Sequence, residues 1–219
     1  MNRKEVVSAI IQAGAVAVVR LSDPEKLIKV AEAIYNGGVT GLEITMTVPN
    51  AIEMIRKVTK EIGETMIVGV GSVLDPETAK RAIDAGAKYV VSPIFKERII
   101  EVAHENGVPA IPGAFSPTEI QMAYEAGAEI IKVFPADVVG MAFFKGVLAP
   151  MPYLKLMPTG GVTLTNAGDW LRAGAVAVGV GTALLNKEAI AEENYRVLTE
   201  NAKKLMGSVR EALEQLRNK

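Results

Sequence analysis

Cysteine is absent from the whole 219-residue chain. That excludes a disulfide framework, a thiolate nucleophile and any zinc–sulfur site. Histidine occurs once, as His104, so a site needing two or more imidazoles is excluded as well, and no metal or cofactor is expected. An excess of one charge is also missing: 24 Lys and Arg stand against 25 Asp and Glu, a net charge of −1. The charges are scattered, with no basic stripe to suggest nucleic acid and no acidic tail to suggest a disordered partner segment. A small-molecule substrate is the expected partner. No apolar run approaches the roughly 18 to 20 residues of a membrane span. The opening Met1-Asn2-Arg3-Lys4-Glu5 lacks the apolar stretch of a signal peptide. No membrane association is expected, and the cytoplasm is the expected location.

What the chain does have is hydrophobic residues, 49% of the total, and a recurring phrase. Asn36-Gly37-Gly38-Val39, Asp84-Ala85-Gly86-Ala87, Glu125-Ala126-Gly127-Ala128 and Arg172-Ala173-Gly174-Ala175 each close a helical pattern and precede an apolar run. Glycine after a helix is the residue that turns left-handed without strain. The apolar runs, rich in valine and isoleucine, read as buried strands. Eight can be marked: Ala15–Arg20, Gly41–Met46, Met66–Ser72, Tyr89–Pro93, Ala110–Gly113, Ile130–Pro135, Leu154–Gly161 and Ala177–Thr182. They begin about 20 to 26 residues apart, one strand–loop–helix–loop unit each. The expected fold is α/β: a single (β/α)₈ TIM-barrel domain over residues 1–219, with parallel strands and a doubly wound open sheet as the alternative. Ala189 to Lys219 reads as one or two amphipathic helices on the outside.

Pro93, Pro112, Pro135 and Pro158 sit at the C-terminal ends of candidate strands, where they stop pairing and direct the loops. In barrel enzymes that face holds the chemistry. Lys132, in Ile130-Ile131-Lys132-Val133-Phe134-Pro135, is a lone charge in an apolar strand, facing the same way as Ile130 and Phe134. If that side is interior, desolvation favours the neutral, nucleophilic amine; otherwise it is an ion-paired or snorkelling lysine. Glu43 is likewise the one charge in Gly41-Leu42-Glu43-Ile44-Thr45-Met46, either a proton carrier for imine chemistry or a structural partner of Lys132. Thr159-Gly160-Gly161 and Gly179-Val180-Gly181-Thr182 close the last two runs, where barrels build phosphate cradles from backbone N–H groups. A short helix beginning near Thr163 to Asn166 would add its positive end. Arg20 closes the first run as a candidate anion ligand or a surface ion-pair residue. Ser72 offers a hydroxyl to the site or a cap to the helix near Pro76. Thr45, Thr47, Pro93 and Phe134 could line the pocket, and His104 reads as a surface residue of an outer helix.

Glu43-Ile44-Thr45, Gly69-Val70-Gly71-Ser72-Val73, Ser92-Pro93, Ile111-Pro112-Gly113, Lys132-Val133-Phe134-Pro135 and Pro158-Thr159-Gly160-Gly161 resemble, in this order, the 2-dehydro-3-deoxy-phosphogluconate and 4-hydroxy-2-oxoglutarate aldolase family, over about Val16 to Leu185. The resemblance implies a class I aldolase without cofactor, a (β/α)₈ barrel and a homotrimer. It implies Lys132 as the imine-forming lysine and Glu43 as the general acid/base. It implies phosphate-binding positions at Gly160, Gly161 and Thr182 and a site hydroxyl at Ser72. With the residues read above, substrate is expected at Arg20, Thr47, Ser72, Pro93, Phe134 and Thr159, and phosphate at Gly160, Gly161, Gly181 and Thr182. Thr47 departs from the pattern, because some members carry an arginine there. The apolar Met141-Ala142-Phe143-Phe144 is either a subunit contact or buried helix packing. Outside this family, a phosphate-binding isomerase or epimerase and a non-catalytic sugar-phosphate sensor share the glycines but require no imine.

Overall fold

The computed structural model describes residues 1–218; Lys219, the end of the last expected helix, lies outside them. Helix α1 (Arg3–Ala13) begins at Asn2, whose side chain accepts the Glu5 N–H while the Glu5 carboxylate accepts the Asn2 N–H. This reciprocal cap satisfies two N–H groups that the helix itself cannot. The helix ends at Gly14, φ 69°, and leads straight into β1 (Ala15–Val19). Then α2 (Pro24–Asn36), β2 (Gly41–Thr45), α3 (Ala51–Ile62), β3 (Ile67–Gly71), α4 (Pro76–Asp84), β4 (Val90–Val91) and α5 (Glu97–Glu105) alternate. The chain continues through β5 (Ala110–Ile111), β6 (Gly113–Ala114), α6 (Pro117–Glu125), β7 (Ile131–Val133), α7 (Ala136–Leu148), β8 (Leu156–Pro158), α8 (Ala167–Arg172) and β9 (Val178–Val180). It closes with α9 (Lys187–Ala191) and α10 (Tyr195–Arg217), the two outer helices expected at this end. Helices α2, α4 and α6 start alike, with Asp23, Asp75 or Ser116 capping and proline in the first turn, where its missing N–H costs nothing.

The paired strands are parallel, as strands separated by helices must be. Six form a half-barrel in the order β5-β4-β3-β2-β1-β9, and three form a smaller sheet, β6-β7-β8. Two isolated parallel bridges, Leu156 to Ala175 and Thr159 to Gly179, link the smaller sheet to the β9 segment. The fifth expected run is divided in the structure. Pro112 falls inside it rather than at its end, and its carbonyl accepts the Lys132 N–H at 2.8 Å. Residues before it pair with β4 and those after it with β7, so the chain changes sheets at the residue that has no N–H to donate.

Alternation sorts the side chains into two cores. Ala15, Ala17 and Val19 face the helices, in a large cluster with Leu27, Ile34, Ile55, Ile100 and Phe144. The intervening positions meet on the other side of the strands: Val16, Tyr89, Val91, Ile111, Ile130 and Met157, from both sheets, form a second cluster. Val6, Val7 and Ile10 of α1 join it, so α1 seals the end of the sheets at which the strands begin. Helix α10 lies outside, burying Leu198, Leu205 and Val209 against α2 and α8, roughly 1.5–3 kcal/mol for each such side chain. Within the apolar stretch at Met141, Phe144 packs inside the helix layer, fully buried with its ring 5.2 Å from Trp170, while Met141 and Phe143 lie partly buried against the same core and Ala142 is exposed. Among the described residues no helix is long and apolar enough to cross a membrane.

Candidate active site

Lys132 is the middle residue of β7, between Gly113 on one side and Met157 on the other. Its neighbours Ile131 and Val133 belong to the outer core, so the lysine points to the inner face with Ile130. Glu43 has the same setting in β2, where Leu42 and Ile44 face the helices. The two side chains are 6% and 1% exposed, and Lys132 Nζ lies 4.0 Å from Glu43 Oε1. That separation is the outer limit of an ion pair and too long for a hydrogen bond. Neither Glu43 oxygen has a hydrogen-bond partner. A buried pair of this kind contributes little net stability, so its geometry has to be explained by something other than holding the fold. Neighbouring residues make the space: a Cβ on Gly71 would overlap Glu43 Oε1. Lys132 Nζ lies 5.2 Å from the centroid of the Phe134 ring, within cation–π range.

Nearby, a cleft of about 130 Å³ brings together Arg20, Phe134, Thr159 and Gly160 with Gly161, Gly181 and Thr182. These come from the ends of β1, β7, β8 and β9. The turn at Gly160 and Gly161 has φ values of 100° and 70°, and a Cβ on either would crowd Asp137, at 2.9 Å and 2.5 Å. Only glycine meets both demands. Thr159 is buried and its hydroxyl has no protein partner, while Gly179 opposite leaves room for it. Among the described residues no carboxylate pairs with Arg20.

The remaining expected residues occupy the same rim without lining this cleft. Thr47 is exposed and lies 2.8 Å, hydroxyl to hydroxyl, from Thr45. Ser72, half-buried with φ 59°, does not cap the next helix; Asp75 does, accepting the Thr78 N–H at 2.7 Å. The Pro93 carbonyl packs on Gly113. Arg20, Thr47, Ser72, Pro93, Phe134, Thr159 and Gly181 thus each stand one or two residues past the end of a strand. The helix expected to aim its N-terminus at this rim is short. α8 has six residues, and the loop before it is closed on itself, Asn166 Oδ1 accepting the Thr163 N–H at 2.7 Å and Asn166 Nδ2 donating to the Gly161 carbonyl at 3.0 Å. The glycine turns and Arg20, rather than that helix, stand at the rim. His104 lies on α5 well away, 3.2 Å from Glu129. A larger recess of about 600 Å³ opens at the opposite end, beside Gln12, Thr65 and Lys88, and contains no buried titratable side chain. The sequence reading gave Gly69, Gly71 and Tyr89 no role of their own in the site; glycine two apart in a strand, Gly69-Val70-Gly71, was the available signal that large neighbours lean over it.

A buried amine close to a buried carboxylate, within the strands and below a glycine-lined cleft at their ends, defines an enzyme class. Such a site can condense an amine with a carbonyl and move protons next to it. The family model for KDPG and KHG aldolases matches residues 6–200. The 2-dehydro-3-deoxy-phosphogluconate aldolase of Pseudomonas aeruginosa is 36% identical over 180 residues, 82% of this chain and 81% of that protein. The KHG/KDPG aldolase of Escherichia coli is 30% identical over 204 residues, 92% of this chain and 95% of that one. Among solved structures, KDPG aldolase from Legionella pneumophila, with pyruvate captured at low pH as a covalent carbinolamine intermediate, is 27% identical and superposes with a TM-score of 0.85, covering 91% of this chain and 97% of that one. The chain belongs to the KDPG and KHG aldolase family, whose members are carbon–carbon lyases.

Proposed function

We propose that this chain is a class I aldolase that reversibly cleaves 2-dehydro-3-deoxy-6-phosphogluconate to pyruvate and glyceraldehyde 3-phosphate through an imine on Lys132. The observation that carries the reading is the Lys132–Glu43 pair, buried and 4.0 Å apart with both carboxylate oxygens unengaged. The Lys132 amine adds to the C2 ketone and water leaves, giving a protonated imine that accepts electrons. Glu43, directly or through one water, takes the proton of the C4 hydroxyl as the C3–C4 bond breaks and its electron pair moves into the imine. The aldehyde departs, C3 of the resulting enamine is protonated, and water releases pyruvate. The phosphate lies against Gly160, Gly161, Gly181 and Thr182, with Arg20 beside it. Thr47, Ser72, Pro93, Phe134 and Thr159 shape the rest of the pocket. 4-Hydroxy-2-oxoglutarate, which would yield pyruvate and glyoxylate, is a second substrate.

The same reading takes the two sheets as arcs of one (β/α)₈ barrel in a single domain. The bridges from β8 to the β9 segment and the sheet change at Pro112 support it. We also place three copies in the working enzyme, in the cytoplasm. Leu74, Ile94, Phe115 and Val138, exposed apolar residues near the ends of β3, β4, β6 and β7, support a subunit contact on that rim.

Borohydride reduction in the presence of pyruvate, followed by intact mass and peptide mapping, tests the mechanism. One pyruvate-derived adduct on Lys132 is expected, and Lys132→Ala should abolish both the adduct and cleavage while remaining folded. A folded protein without any adduct would overturn the aldolase reading in favour of an isomerase, an epimerase or a sensor.

A further inference from the structure

Tyr89 is among the largest fully buried side chains of the protein and stands on the inner face just before β4. Its ring lies so close over Gly69 that a Cβ there would overlap the ring carbons. Gly71, the next residue on that face of β3, admits the Glu43 carboxylate in the same manner. The phenol and the carboxylate therefore lie over one glycine strip. The Tyr89 hydroxyl and both Glu43 oxygens are buried, and none has a protein hydrogen-bond partner, although buried polar groups are almost always hydrogen-bonded. Their needs are complementary, because a tyrosine O–H donates and an ionised carboxylate only accepts.

Few other groups compete. Among the described residues the buried polar or charged side chains are Glu43 and Thr45 of β2, Ser92 after β4, Lys132 of β7 and Thr159 after β8. Thr45 is engaged with Thr47, Ser92 accepts the Ile94 N–H, and the Lys132 nitrogen lies beside Glu43 itself. Val16, Ile111, Ile130, Met157 and Ala177 from the other strands, with Val6, Val7 and Ile10 of α1, pack in the same cluster as Tyr89 and offer it no side-chain acceptor. Burial first, and the Glu43 charge second, push the titration of the phenol well above its ordinary value, which keeps the O–H in place throughout the working range.

We infer that Tyr89 is a positioning residue whose hydroxyl donates to the Glu43 carboxylate across one water and holds it aimed at the substrate. This rests on the reading of Glu43 as proton carrier given above. Donation to a carboxylate favours its charged form, so loss of the hydroxyl makes Glu43 easier to protonate.

Tyr89→Phe, which removes one oxygen from an apolar setting, is the test. The acid limb of the kcat/KM profile should move up by about one pH unit and kcat should fall about tenfold. The borohydride adduct on Lys132 should be retained, with KM within about twofold because uniform binding is untouched. A singly fluorinated tyrosine at position 89, a stronger donor of the same shape, should move the limb the opposite way. An unmoved limb in both proteins, with the adduct intact and even with a lower thermal midpoint, would reduce Tyr89 to a packing residue and overturn this inference alone. Loss of the adduct from the unsubstituted protein would instead remove the aldolase reading beneath it.

Discussion

Glu43 can be buried only because β3 carries no side chain opposite its carboxylate. A methyl group on Gly71 would overlap Oε1, yet the Gly71 backbone lies outside the left-handed region, so alanine there strains nothing but the site. Gly71→Ala should therefore fold and lose activity. Displacing a catalytic group by an ångström costs about 10²-fold, and steady-state kcat beside a circular dichroism spectrum would measure that; full activity would mean that Glu43 has room to spare. At this scale the sequence was informative about which residues are odd. A lone lysine and a lone glutamate in apolar strands stand out in the string of letters. Tyr89 did not, because an aromatic in a buried strand is ordinary until its hydroxyl is found without a partner.

Elements in this chain are set by short-range signals, and their ends show it. Helix α6 has its first turn fastened by Glu119, which accepts the Phe115 and Ser116 N–H groups at 2.9 Å and 2.8 Å. Those backbone hydrogen bonds hold the carboxyl below its ordinary value of 4.5. Because the folded value is depressed, the stabilisation is complete above pH 4.5 and is lost as the pH falls through the lowered value. Glu119→Ala should destabilise the protein by about 1 kcal/mol at neutral pH, measured by urea unfolding. The gap between the two proteins should narrow in acid below the ordinary carboxylate range, and a gap independent of pH would show that the charge plays no part. The expected strands all exist, but several are shorter than their apolar runs. Ile130–Pro135 contains a strand of three residues and Leu154–Gly161 another of three. The flanking residues are apolar because the pocket and the outer core need them so, and hydrophobicity alone does not separate pairing from lining.

For the whole molecule, the question is what covers the exposed apolar rim. Val138 is 68% exposed at the start of α7, the most open of the four residues offered to a neighbour in the proposed trimer. Val138→Asp should carry a buried charge into that contact, which associating chains do not tolerate unpaired. Sedimentation equilibrium should then find smaller species than for the unsubstituted protein; unchanged mass would move the contact elsewhere. The sequence by itself determined the order of strands and helices, their parallel sense, the face that carries the loops and the two charges worth attention. Those depend on periodicity, glycine and proline, which act within a few residues of each other. Tertiary structure alone decided that Lys132 and Glu43 meet at 4.0 Å, that Pro112 is where the chain changes sheets, that Phe144 is core, and that Tyr89 shares a glycine strip with Glu43. Each of these joins segments distant in the chain, and no local pattern encodes a distance across a sheet.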